Sequence, residues 1–150
     1  LLSDGHLVTV ISSNASKQSE IAQVGAIPAI GSLLDKDFLQ LSFDGADAAF
    51  CMTPPNYSEP DQIAYDSNIG ENYKYAIEKA NVKRVVHLSS YGAHLPEGTG
   101  FISGYYQVEQ ILNTISEIQL THLRPTSFYY NLSAFIPMIK SVGFIGAGYG

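Results

Sequence analysis

The sequence has a single cysteine, Cys51, in 150 residues, so no disulfide forms within the chain, and no Cys/His cluster has zinc-ligand spacing. Positive charge is scarce: Lys and Arg number 8 against 14 Asp and Glu, a net charge of −6. That balance argues against a surface that neutralises many phosphates, and nucleic acid is not an expected partner. No apolar run approaches the roughly 20 residues of a membrane-spanning helix. The first residues, Leu1-Leu2-Ser3-Asp4-Gly5-His6, lack the charge pattern of a signal peptide. Internal repeats and low-complexity linkers are missing as well. What remains, with 45% hydrophobic and 15% charged residues, is the composition of one folded domain over 1–150, expected in the cytoplasm and without a membrane partner.

Short apolar runs alternate with helical patterns. Leu7 to Ile11 is β-branched and follows a turn at Asp4-Gly5, which predicts a strand. Ser16 to Val24 predicts a helix stopped at Gly25. Ala26 to Ile30 predicts a strand that Pro28 confines to a sheet edge. Asp35 caps a short helix with Phe38, Leu39 and Leu41, closing near Gly45. Ala48 to Met52 is an uninterrupted apolar run of the kind covered on both faces. Ser58 and Asp61 make a capping box for a long helix whose stripe is Ile63, Ile69, Tyr73, Ile77 and Ala80, stopping at Asn81. Arg84 to Ser89 is a further strand, and Val108, Ile111, Leu112 and Ile115 mark another helix. Gln119 to Arg124 is the last strand, ended by Pro125.

Five alternations favour an α/β, Rossmann-like three-layer sandwich with a mostly parallel sheet; the alternative is an α+β domain with antiparallel pairing. In open parallel sheets ligands bind beyond the carboxyl ends of the strands. Five loops lie there: Ser12-Ser13-Asn14, Gly31-Ser32-Leu33, Met52 to Tyr57, Ser89 to His94, and Arg124 to Phe128.

Gly31-Ser32-Leu33-Leu34-Asp35, Gly45-Ala46-Asp47-Ala48, Thr53-Pro54-Pro55, Val82 through Ser90, and Leu123-Arg124-Pro125-Thr126 follow one another at familiar intervals. Together they resemble the NmrA-like branch of the atypical short-chain dehydrogenase/reductases, which includes NAD(P)H-binding regulators, triphenylmethane-dye reductases and a type of quinone reductase. Such proteins begin with a strand, a glycine-rich turn and a helix, and end with a substrate portion; this chain resembles their middle. The first strand lies at the sheet's centre in the Rossmann order. The resemblance therefore implies that the chain fills the gap from a neighbour, as in a homo-oligomer, or re-pairs its sheet, or is part of a longer polypeptide.

The resemblance assigns a nicotinamide dinucleotide to the five loops. Ser12, Ser13 and Asn14, with Lys17 nearby, occupy the loop that selects the cofactor; no acid is present to hold a ribose 2′-hydroxyl, which leans toward NADP over NAD. Ser and Asn are equally ordinary turn residues. Ser32 and Leu33 stand where relatives approach the adenine. Met52, Thr53 and Pro54 match a loop beside the ribose and phosphates, or are a rigid connection into the long helix. Ser89, Ser90 and Tyr91 match hydroxyls near the nicotinamide, or end the strand on their own backbone. Thr126 and Phe128 are candidates for ring contacts. Arg124 serves either a phosphate or an ion pair. Tyr57, His94, Tyr106 and Asn131 are candidates for the substrate side. His87 reads as a core residue, and Cys51 as inert within its apolar strand.

Ordinary short-chain dehydrogenases carry Tyr-x-x-x-Lys, in which the ammonium lowers the tyrosine's pKa for proton exchange. Here Tyr105 is followed by Glu109 and Tyr106 by Gln110. That acid–base pair is absent, and alcohol dehydrogenation is not expected. The reading is an NAD(P)H-dependent reductase of a small quinone-like or aromatic acceptor; the alternative is a non-catalytic NAD(P) redox sensor acting through a protein partner.

Overall fold

A computed structural model describes residues 1–56 and 58–146. Strands and helices alternate as β1 (Thr9–Ser12), α1 (Gln18–Gln23), β2 (Ile27–Ile30), α2 (Lys36–Phe43), β3 (Ala48–Met52), α3 (Gln62–Ala80), β4 (Arg84–Leu88), α4 (Ile102–Asn113) and β5 (Gln119–Leu123). A 3-10 turn and α5 (Ile136–Val142) follow. All strand pairs are parallel, as helical crossovers require. The fold is α/β and Rossmann-like, and antiparallel pairing is set aside.

Local chemistry sets the helix ends. Asp35 accepts from the backbone N–H groups of Asp37 and Phe38 at the start of α2. Asn81 closes α3 in the left-handed region at φ 55°, a conformation asparagine tolerates better than most residues. One expectation fails here. The cap of α3 is Asp61, whose Oδ1 accepts from Ala64 N at 2.9 Å, not Ser58. Pro60 disfavours helical geometry at Glu59, so the helix starts beyond it. Ile63, expected on the apolar stripe, is 39% exposed in the first turn.

The core lies between α2, α3 and α4 and one face of the larger sheet. Leu39, Ile69, Ala76, Ile77, Val108 and Leu112 are fully buried from the helices, with Cys51 and Val85 from the strands. Truncating any of the buried leucines or isoleucines to alanine removes about 2–5 kcal/mol. Gly70 lets α4 approach α3, since a Cβ there would press on Ile111 and Val108.

The strands form two sheets, β1-β2 and β3-β4-β5. β1 and β3 are not hydrogen-bonded to each other, so the sheet has not re-paired across the place of the family's first strand. Pro28 pairs only with Val10, on the edge strand where its missing N–H is harmless. β3 differs from the expectation that it is covered on both faces. Cys51 is buried, but Phe50 is 62% and Met52 47% exposed. Residues alternate across a strand. The helices cover the face bearing Cys51, Val85 and His87, while Phe50, Met52, Thr121 and Leu123 point to the other face and remain open.

Candidate functional site

Parallel register decides which loops meet. Met52 pairs with Leu88, and Leu88 with Leu123, so Thr53, Ser89 and Arg124 leave the sheet side by side. Two bonds extend the alignment past the strands: Ser89 N donates to Leu123 O at 2.8 Å and Tyr91 N to Pro125 O at 2.9 Å. On the smaller sheet Ser12 pairs with Ile30, which brings Ser13 beside Gly31. Asn72 of α3 ties the second of these loops to the core by donating to Leu33 O at 3.0 Å.

A cleft of about 680 Å³ opens over the ends of β3, β4 and β5. Of the residues singled out in the sequence, Met52, Thr53, Ser89, Ser90, Tyr91, Thr126, Phe128 and Asn131 line it. The Thr53 side chain is the notable one. It is 2% exposed, and its Oγ1 has no hydrogen-bond partner among the described residues. A buried hydroxyl without a partner costs about 1–3 kcal/mol, so this one, on a residue that lines the cleft, stands ready for a ligand group. Tyr73 OH donates to Met52 O at 2.8 Å and pins the strand end next to it.

Beneath the cleft lies a buried acid. Glu109 of α4 is 1% exposed. Its Oε1 accepts from Ser89 Oγ at 2.6 Å and from Arg124 Nε at 2.8 Å, and its Oε2 accepts from Arg124 Nη2. Burial alone would push this carboxyl up; the hydrogen bonds of Arg124 and Ser89 outweigh it and hold the carboxyl below its ordinary range. Of the two roles open to Arg124, the structure has the ion pair. The Glu109 carboxylate is thus engaged in bracing the ends of β4 and β5.

Near this pair, His87 and His122 meet edge-on with their Nδ1 atoms 3.0 Å apart. His87 is a core residue as expected, although its Nε2 lacks a partner among the described residues. Burial, with His122 beside it, lowers its pKa to about 4. Cys51 is pushed up to about 12 by burial, which makes it a poor nucleophile.

The other singled-out residues fall in several places. Ser12 Oγ accepts from Asn14 N, Asn14 Oδ1 from Ser16 N, and Ser32 Oγ from Leu34 N. These are turn and cap bonds within the loops, with Ser13 and Lys17 exposed alongside. Pro54 is half-buried next to Pro55, which lines the cleft in its place. His94 is exposed in its loop and Tyr106 half-buried; neither lines the cleft, whereas Tyr105 does. Tyr57 lies outside the described residues. Sequence reasoning missed Tyr105, Phe101 and Asp66. For Asp66 a signal existed: it sits three residues before Ile69 and seven before Tyr73, so a charge falls on the buried stripe of α3. Among the described residues no group of acids, histidines and cysteine is arranged to hold a metal.

A family model for NAD(P)H-binding proteins matches residues 1–133. The chain belongs to the NAD(P)H-binding family. No curated relative matches it in sequence. Among solved structures, an NADPH-dependent quinone oxidoreductase from Escherichia coli, determined with NADPH, aligns at TM-score 0.75 and 22% identity over 93% of this chain and 47% of its own. Triphenylmethane reductase from Citrobacter sp., determined with NADP(H), aligns at TM-score 0.71 and 21% identity over 83% and 41%. A nucleoside-diphosphate-sugar epimerase from Staphylococcus aureus aligns at TM-score 0.67 and 17% identity over 87% and 45%. At these identities the likeness is one of fold, and this NAD(P)H-binding chain spans less than half the length of each. The chemistry at the strand ends suits a dinucleotide's polar groups and flat rings: hydroxyls at Thr53, Ser89, Ser90 and Thr126, and the Phe128 ring, all line the cleft.

Proposed function

We infer that this chain is the dinucleotide-binding part of an NAD(P)H-dependent reductase acting on a small quinone-like or aromatic acceptor. The observation that carries the reading is the strand-end cleft with its buried, unpartnered Thr53 hydroxyl. The bound cofactor supplies the hydride; the protein positions it and keeps water away. Thr53, with Met52 and Pro54 beside it, takes the ribose next to the nicotinamide. Ser89, Ser90 and Tyr91 hold the ring's polar edge, and Thr126 and Phe128 close over it. Arg124 serves through Glu109, keeping Ser89 in place. Ser12, Ser13, Asn14 and Lys17 face the other ribose, where the lack of an acid favours NADP, and Ser32 and Leu33 border the adenine. Asn131 stands on the acceptor side. A reducing, cytoplasmic setting suits both the cofactor and the free, buried Cys51.

The test is NADPH oxidation followed at the nicotinamide absorbance with a panel of quinones. Turnover supports the reductase. One observation favours a second reading, a sensor of the NAD(P)/NAD(P)H ratio acting through a protein partner: neither Tyr105 nor Tyr106 has a cation four residues on, and Glu109 is engaged by Arg124 and Ser89. Tight NADPH binding with no turnover on any quinone would select it.

A further inference from the structure

A second cleft, of about 340 Å³, lies between the starts of α3 and α4. Pro55, Phe101 and Tyr105 stand in its wall and in that of the strand-end cleft, so the two adjoin. Its deep side is formed by Asp66, which is 3% exposed. Gln62 Nε2 donates to Asp66 Oδ1 at 2.7 Å. Oδ2 lies against Gly104 of α4, where a Cβ would collide with the carboxyl; glycine at this point of the helix is what leaves the acid room. Among the described residues Asp66 forms no ion pair.

We propose that this cleft is the acceptor subsite and that Asp66 is the acid that protonates the acceptor as it is reduced. The inference rests on the reductase reading and adds to it a site and a proton source. The Phe101 and Tyr105 rings suit a planar acceptor, and the acidic Glu59 disfavours an anionic one. An uncharged quinone meets both conditions. For a quinone, the C–H bond of the reduced nicotinamide breaks, its hydride with both electrons goes to one carbonyl oxygen, and the nicotinamide is left oxidised. The electron pair displaced through the ring reaches the other carbonyl oxygen, which takes the proton of the Asp66 carboxyl. Both C=O groups thus become C–OH, two acceptor O–H bonds form, the Asp66 O–H breaks, and solvent returns the proton to the carboxylate. Burial drives the Asp66 pKa up to about 6, against a smaller opposing effect of the Gln62 hydrogen bond. Glu59, Tyr65 and Tyr105 are the titratable groups around it among the described residues. An acid of this kind loses its proton as pH rises through about 6, and activity falls with it; general acids contribute roughly 100-fold or more.

The test uses the intact protein, its Asp66→Asn and Asp66→Glu variants, NADPH, and 1,4-benzoquinone as probe. Infrared difference spectra across pH should show a protonated carboxyl that titrates near 6, is lost in Asp66→Asn, and shifts when the quinone binds without cofactor. NADPH affinity, read by nicotinamide fluorescence, should stay within about twofold in Asp66→Asn. Turnover should fall by about 100-fold at pH 5, where Asp66 holds its proton, and by less at pH 7, with loss of the pH limb, partly restored in Asp66→Glu. Unchanged turnover in Asp66→Asn, or an infrared signal indifferent to the quinone, overturns the proposal while leaving the reductase reading standing. Failure of the unaltered protein to bind NADPH, or to reduce any quinone, overturns the reductase reading and this proposal with it.

Discussion

Replacing Arg124 by alanine should destabilise the protein and reverse the pH response of Glu109. Glu109 is 1% exposed and holds three hydrogen bonds, two of them from Arg124. Breaking a buried ion pair by removing one partner costs about 3–5 kcal/mol. Here the Arg124 side chain is 40% exposed, so water reaches the vacated side, and the expected loss is about 2–3 kcal/mol. The pH dependence is the sharper check. In the intact protein Glu109 titrates below its ordinary value of 4.5, so its contribution is present above that pH and is lost as pH falls through the depressed folded value. Without Arg124, burial becomes the dominant influence and the carboxyl titrates above its ordinary value. The variant then gains stability relative to the intact protein as pH falls. Urea unfolding followed by circular dichroism between pH 7.5 and pH 5 reads both effects (the chain has no tryptophan). A loss below about 1 kcal/mol, or a gap between the two proteins that stays constant with pH, would refute the reasoning.

Thr53→Val removes a hydroxyl that has no partner among the described residues; stability should hold or rise by about 1 kcal/mol, while NADPH affinity drops several-fold in a fluorescence titration. His87 titrates at about 4 in the fold against 6.5 ordinarily, so its share of stability is complete above pH 6.5 and is lost as pH falls toward 4. That share is about 3 kcal/mol, and urea midpoints for His87→Phe should show a flatter decline over this interval than those for the unaltered protein. Gly104→Ala forces a Cβ against the Asp66 carboxyl; thermal unfolding should reveal a loss of about 1–2 kcal/mol, although alanine is ordinarily the better helix former by about 1 kcal/mol.

Much of the fold was legible because its determinants are local. The β-branched run ending at Ile11, the Asp35 cap, the left-handed stop at Asn81 and the apolar stripe of α3 each depend on residues a few positions apart. Pro28 announced an edge strand by its chemistry alone. The α3 cap was misread because Ser58 and Asp61 have the right spacing, yet Pro60 between them governs where helical geometry begins. The expected cover of β3 failed for a different reason: apolar composition marks a strand but does not say which faces neighbours occupy, and Phe50 is open.

For the site, the sequence by itself determined which loops follow the strands, from the direction of the chain and the alternation of strand with helix. The family resemblance singled out Thr53, Ser89, Thr126 and Phe128 within those loops, and the structure brings the four to one cleft. Only the tertiary structure decided the surroundings of Glu109, Arg124 and Asp66. They arise from burial and from partners 15 and 20 residues away for Glu109, and for Asp66 from the packing of one helix on another. A carboxyl's proton affinity is set by the groups and solvent around it in space, and those are fixed only once the chain has folded.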